Sequence, residues 1–135
     1  MNFDWMLGLE LIRIFEHYPQ NSTFEFSNGT LKVDTLWRII ADGEVKLTKR
    51  DHNQQFGLPK PVDAHAEAAE LLLGRKVVKV QLREDSEDLT FEFEGNRSLE
   101  ILNDSSGYEP WNLHGPGVHL VAVGTGKIYD FSPKS

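Results

Sequence analysis

The chain has 135 residues, no cysteine, and 21 acidic against 14 basic side chains, for a formal charge of −7. Without cysteine there is no disulfide framework, no thiolate metal site and no thiol nucleophile. The acidic balance disfavours a nucleic-acid backbone and favours a basic partner, while the length suits one domain that folds without staples.

The N-terminal stretch "MNFDWMLGLELIRIFEHYPQ" is interrupted by Glu10, Arg13 and Glu16, which makes it a poor signal peptide. The longest apolar runs, "LVAV" and "AAELLL", fall far short of the ~20 residues a membrane-spanning helix needs. These features lead us to expect a soluble chain that is not exported by a cleaved N-terminal signal and has no membrane partner. Leu7 to Phe15 fits a helical spacing, yet its match to Arg75–Leu82 favours a strand with an irregular or helical start. In "NSTFEFSNGTLKVDT" period-two alternation flanks Asn28-Gly29, which predicts a type I′ hairpin with positive φ at both residues. "IIADGEVKL" repeats the pattern around Asp42-Gly43.

A loop punctuated by Pro59 and Pro61 leads to Asp63, a helix cap. Ala64, Ala68, Leu71 and Leu72 then form an apolar stripe at helical spacing, Glu67 and Glu70 face away, and Gly74 ends the helix. Next come a strand in which Val78, Val80 and Leu82 share a face, the turn "REDSED", a strand from Leu89 to Phe93, a Gly95-Asn96 turn, and a strand from Leu99 to Leu102. After "NDSSGYEPW", His114 and His119 flank a Gly-Pro-Gly turn, and "GTGKI" reads as a turn between the last strands.

Several positions recur in order. Leu7-Gly8 matches Leu73-Gly74, "LIRI" matches "VVKV", "TFEF" from Thr23 matches "TFEF" from Thr90, and Trp37 matches Trp111. The expected fold is a single mainly β (α+β) domain, residues 1–135. Its two similar antiparallel β-meanders, an internal duplication of about 7–48 and 73–128, share one core and are joined by a loop and one central α-helix over 49–73. A lone meander has one face to bury and is marginal; two together make a core.

Catalytic patterns are weak. No zinc motif such as HExxH links the five histidines, and Asp51-His52 sits in a polar loop. Ser105 and Ser106 lie near His114, but the GxSxG elbow is absent. "GTGKI" lacks the eight-residue phosphate-loop pattern. "EDSED", Glu84 to Asp88, lacks the glycine and distal glutamate of a calcium loop and reads as a solvated turn or an acidic patch. Tyr108 and Trp111 read as a lid on the core or as interface anchors. We therefore expect no catalytic residues, no metal and no cofactor. One alternative is a small-ligand pocket between the meanders, lined by Phe24, Phe26, Phe91, Phe93, Trp37 and Trp111.

Three stretches form a wider pattern: "NGTLKV…WRI", "PVDAHAEAAELLLGRKVVKV" and "DLTFEFEGNRSLEILNDSSGYEPWNL". Over roughly residues 7–128 this resembles small bacterial domains that include immunity-type proteins of polymorphic or contact-dependent toxin systems. The resemblance implies a cytoplasmic bacterial binding protein and brings no catalytic residues. The partner it suggests is a basic toxin domain, met by Glu84, Asp85, Glu87, Asp88, Tyr108 and Trp111. Oligomeric state stays open between a monomer and a homodimer that uses an edge strand.

Overall fold

Residues 1–19 and 21–133 are described by a computed structural model. The alternating runs become eleven strands: β1 (Leu11–Glu16), β2 (Ser22–Phe26), β3 (Gly29–Val33), β4 (Leu36–Ala41), β5 (Glu44–Thr48), β6 (Val77–Arg83), β7 (Asp88–Phe93), β8 (Arg97–Leu102), β9 (Trp111–Gly115), β10 (Val118–Ala122) and β11 (Ile128–Asp130). They form two antiparallel sheets, β1-β2-β3-β9-β10-β11 and β5-β4-β8-β7-β6. Each half places a three-stranded meander in one sheet and then crosses to the other, where the first half adds the β4–β5 hairpin and the second adds β9, β10 and β11. The sheets pack through the inward residues of the alternating strands. Phe24, Phe26, Phe91 and Phe93 are buried, with the Phe26 and Phe91 rings 5.6 Å apart across the core. Each such side chain contributes about 1.5–3 kcal/mol through burial.

The matched motifs occupy matched places. Leu11 pairs with Phe26 as Val77 pairs with Phe93, and Phe24 pairs with Leu31 as Phe91 pairs with Leu99. Val33 faces Trp111 as Ile101 faces Trp37. The two starting segments also hold each other. Gly8 donates to the Val77 carbonyl at 2.8 Å and Gly74 to the Leu11 carbonyl at 2.9 Å, on either side of a Glu10–Lys76 bridge. Gly8 and Gly74 both have positive φ, +85° and +80°, where a side chain would be strained.

Two local expectations change, at the first hairpin and in β6. The first hairpin turns on Ser27-Asn28, because Phe26 pairs with Gly29, and neither Asn28 nor Gly29 has positive φ. Gly29 serves close packing instead: a Cβ there would lie 3.0 Å from the His114 carbonyl and 3.2 Å from the Trp5 ring. The Asp42-Gly43 turn does have positive φ at both residues. In β6 a bulge between Val77 and Lys79 buries Val77 and leaves Val78 outside, so Val78 does not share the inward face of Val80 and Leu82. The N-terminal segment is a 3₁₀ turn at Asp4–Met6, followed by β1.

Helix α1 (Ala64–Leu72) follows the expected cap, with the Asp63 carboxylate accepting the Ala66 N–H at 3.1 Å. Its Ala64, Ala68 and Leu72 are fully buried, and it packs on β1 and β5. No helix among the described residues is long and apolar enough to cross a membrane. The antiparallel order brings one set of strand ends together: Glu16, Ser22, Val33 and Leu36 of the first half meet Arg83, Asp88, Leu102 and Trp111 of the second. Short turns close the opposite end.

Candidate functional site

The long loops, and with them most of the chemistry, gather at that first end. Glu87 organises one side of it. A left-handed backbone, φ +66°, turns its side chain inward, where it is fully buried. Its carboxylate accepts the Val123 N–H at 2.9 Å and the Gly124 N–H at 2.6 Å, with the Asn103 amide at 3.5 Å. Its backbone carbonyl accepts the indole N–H of Trp111 at 2.8 Å. Asp88 adds a second tie by accepting the Asn103 N–H at 2.8 Å. The "GTGKI" loop is wedged beside them. A Cβ on Gly124 would stand 2.6 Å from the Tyr108 carbonyl, and one on Gly126 would stand 2.9 Å from the Asp85 carbonyl. The acidic turn and the Tyr108 loop, 20 residues apart in sequence, are thereby fixed to one end.

The six residues expected to meet a partner therefore separate. Glu84 and Asp85 are exposed, and Tyr108 is 80% exposed. Asp85 is held by Arg83 at 2.8 Å, which keeps its carboxyl below the usual range. Asp88 is half-buried and engaged with Asn103. Glu87 and Trp111 are buried and bonded to the scaffold, so neither is available to a partner: the lid reading of Trp111 replaces the anchor reading. Asp34, Asp104 and Glu109 are exposed beside Tyr108 and line a shallow recess with it. They extend the acidic surface beyond the expected set.

The other side of this end is built around Trp37. Its indole N–H donates to the Ser22 hydroxyl at 2.8 Å, and Ser22 lies 2.8 Å from Nε2 of His65 on α1. With one Ser22 lone pair taken by Trp37, every group is satisfied when the Ser22 O–H donates to Nε2. The proton of neutral His65 then sits on Nδ1. Burial pushes the His65 pKa down, and neighbouring His52 adds to this. His52 is placed by a 3₁₀ turn at Lys49–Asp51, where Thr48 and Asp51 form a capping box. Its Nδ1 accepts the Ala64 N–H at 3.0 Å, so its own proton sits on Nε2, 3.9 Å from the Glu16 carboxylate. Lys49 adjoins them. Burial pushes its pKa down, while Asp34, Asp104 and Glu16 pull it back.

Glu16, His52 and His65 offer ligand atoms within 4.8 Å of one another, the spacing of a metal site. The proton positions do not suit one. A metal on His52 Nε2 needs the proton at Nδ1, where the Ala64 N–H points, and Nε2 of His65 is occupied by Ser22. A serine–histidine nucleophile fits no better, since Ser22 is fully buried and already accepts from Trp37. No local motif announces this cluster, because residues 16, 22, 52 and 65 meet only through the crossing strands and α1.

The remaining candidates have structural duties. Ser105 caps its own loop, accepting the N–H groups of Gly107 and Tyr108. His114 stacks on His119, with ring centres 3.9 Å apart, as a cross-strand pair of β9 and β10. Phe24, Phe26, Phe91, Phe93, Trp37 and Trp111 lie in the core between the sheets, each at most 3% exposed. No protein-family model, curated protein or solved structure significantly matches this chain, which leaves both the immunity-type resemblance and the internal duplication resting on the residues quoted above.

Proposed function

We propose that the chain is a non-catalytic binding protein of cytoplasmic, bacterial, immunity-like type, which neutralises a basic protein partner by occlusion. The observation that carries this reading is the Glu87 lock, which joins the acidic turn and the Tyr108 loop into one firm surface at one end of the sandwich. Glu84, Asp85, Asp104 and Glu109 supply negative potential that steers a basic surface into contact. Tyr108 is the exposed aromatic anchor among them. A preformed surface binds without ordering a loop, which preserves affinity.

The test is co-purification with the tagged protein from its host at low and at high salt. A stoichiometric basic partner that elutes as salt rises, and that is lost on Glu84→Lys with Tyr108→Ala, supports the proposal. A partner retained at high salt by both variants overturns the electrostatic mechanism. Absence of any partner overturns the binding role.

A further inference from the structure

We propose that His114 and His119 form a binding site for a late first-row divalent metal ion, copper(II) foremost. This is independent of the partner-binding surface. The two residues stand directly opposite each other on β9 and β10, and their rings lie side by side, with centres 3.9 Å and planes 25° apart. The hairpin sets this register. Pro116 and Gly117 close it, Gly117 with φ +65°, and Gly115 pairs with Val118. A slip of one residue would turn one histidine to the other face of the sheet. Both strands are interior to their sheet, β9 between β3 and β10, and β10 between β9 and β11, which holds the two backbones in place.

The ring nitrogens decide the chemistry. In the cluster of Glu16, His52 and His65 they are committed: His52 Nδ1 accepts the Ala64 N–H, and His65 Nε2 meets the Ser22 hydroxyl. His114 and His119 differ. Their rings touch each other and Phe131, and none of their four ring nitrogens has a hydrogen-bond partner among the described residues. In directly opposed residues the Cβ atoms lie about 4.5–5.5 Å apart, so ring rotation can bring one nitrogen from each histidine to a shared ion at about 2.0–2.1 Å. Imidazole suits copper, nickel and zinc, and affinity along the divalent series peaks at copper. Calcium and magnesium take oxygen ligands and do not suit this pair. His114 is exposed, which gives the ion an entry path, while Phe131 packs 5.5 Å from the His119 ring and restricts it. Of the nearby charges, Asp130 favours a cation and Lys32 opposes one. No local motif announces the pair, because residues 114 and 119 become neighbours only when β9 and β10 are paired.

The experiment is titration of the intact chain with copper(II), zinc and magnesium chlorides, read by calorimetry and, for copper, by electron paramagnetic resonance. Copper is expected to bind with splitting from two imidazole nitrogens, zinc more weakly, and magnesium not at all. His114→Gln and His119→Gln should each keep the fold by circular dichroism and weaken copper by at least ~10-fold, the scale on which even an outer partner of a metal ligand matters. Glu16→Gln, at a side chain 37% exposed, should leave copper binding unchanged. The proposal is overturned if copper does not bind through two imidazoles, or if either His114 or His119 can be replaced without loss of affinity. Loss of copper on Glu16→Gln, with both histidine variants still binding, would place the ion in the other cluster and overturn it as well.

Discussion

Trp37 and Trp111 stand at matched strand positions, both are buried, and both donate an indole N–H at 2.8 Å, yet they serve opposite sides of one end. Trp111 donates to the backbone of Glu87, whose carboxylate is itself consumed by two backbone N–H groups and the Asn103 amide. That niche is saturated and acts as a frame. Trp37 donates to Ser22, which passes the contact to His65 beside His52 and Glu16 on a cleft. That niche ends on the cleft in Glu16 and His52, 3.9 Å apart. The difference comes from what packs beside each tryptophan. The linker between the halves brings the loop with His52 and α1 with His65 to Trp37, whereas the second half supplies Trp111 with an inward-turned acid.

The largest expected effect comes from breaking the saturated niche. Glu87→Ala strands the Val123 and Gly124 N–H groups and should cost about 3–5 kcal/mol in denaturant unfolding, by analogy with removal of one member of a buried polar network. Smaller losses should follow replacement of each tryptophan by phenylalanine, about 1–3 kcal/mol, from the unpaired acceptor and the lost ring volume. Here the comparison sharpens. Trp111→Phe should also loosen the Tyr108 loop, seen as faster amide exchange at residues 105–108, and Trp37→Phe should not.

The next effect is one of pH. The His65 pKa is lowered from 6.5 by burial first and by His52 second, with Glu16 and Asp63 opposing and Lys49 assisting. The unfolded chain then binds this proton more readily than the folded one. The stabilisation is complete above pH about 6.5 and drains away as pH falls towards the folded-state value. Its slope is at most about 1.4 kcal/mol per pH unit. Urea unfolding of His65→Gln between pH 7.5 and 5 should lack this component. The smallest effect on stability is expected at Glu84 and Asp85, whose exposed side chains can be reversed in charge with an unchanged melting temperature.

Much of this frame is legible in the residues. Period-two alternation around "TFEF" marks four strands, and Asp63 with the Ala64, Ala68 and Leu72 stripe marks α1. The bulge at Val78 is not legible, because an extra residue in a strand leaves the hydrophobic composition intact and changes only which valine faces in. Nor is the role of Glu87. Four carboxylates in "EDSED" are alike as letters, and only the left-handed backbone at one of them sends it into the core. The Trp37 cluster was hidden for another reason: its members are scattered along the chain and meet through strand order.

The account's central claim is that the end carrying the acidic turn and Tyr108 is the binding face. The direct measurement compares Glu84→Lys with Glu44→Lys, the same charge change at exposed sites on opposite ends, in capture of the partner at low salt. The account predicts that Glu84→Lys weakens capture by at least ~10-fold, about 1.4 kcal/mol, while Glu44→Lys leaves it within about twofold. Equal weakening by both would reduce the effect to net charge, and retention by both would remove this end from the interface.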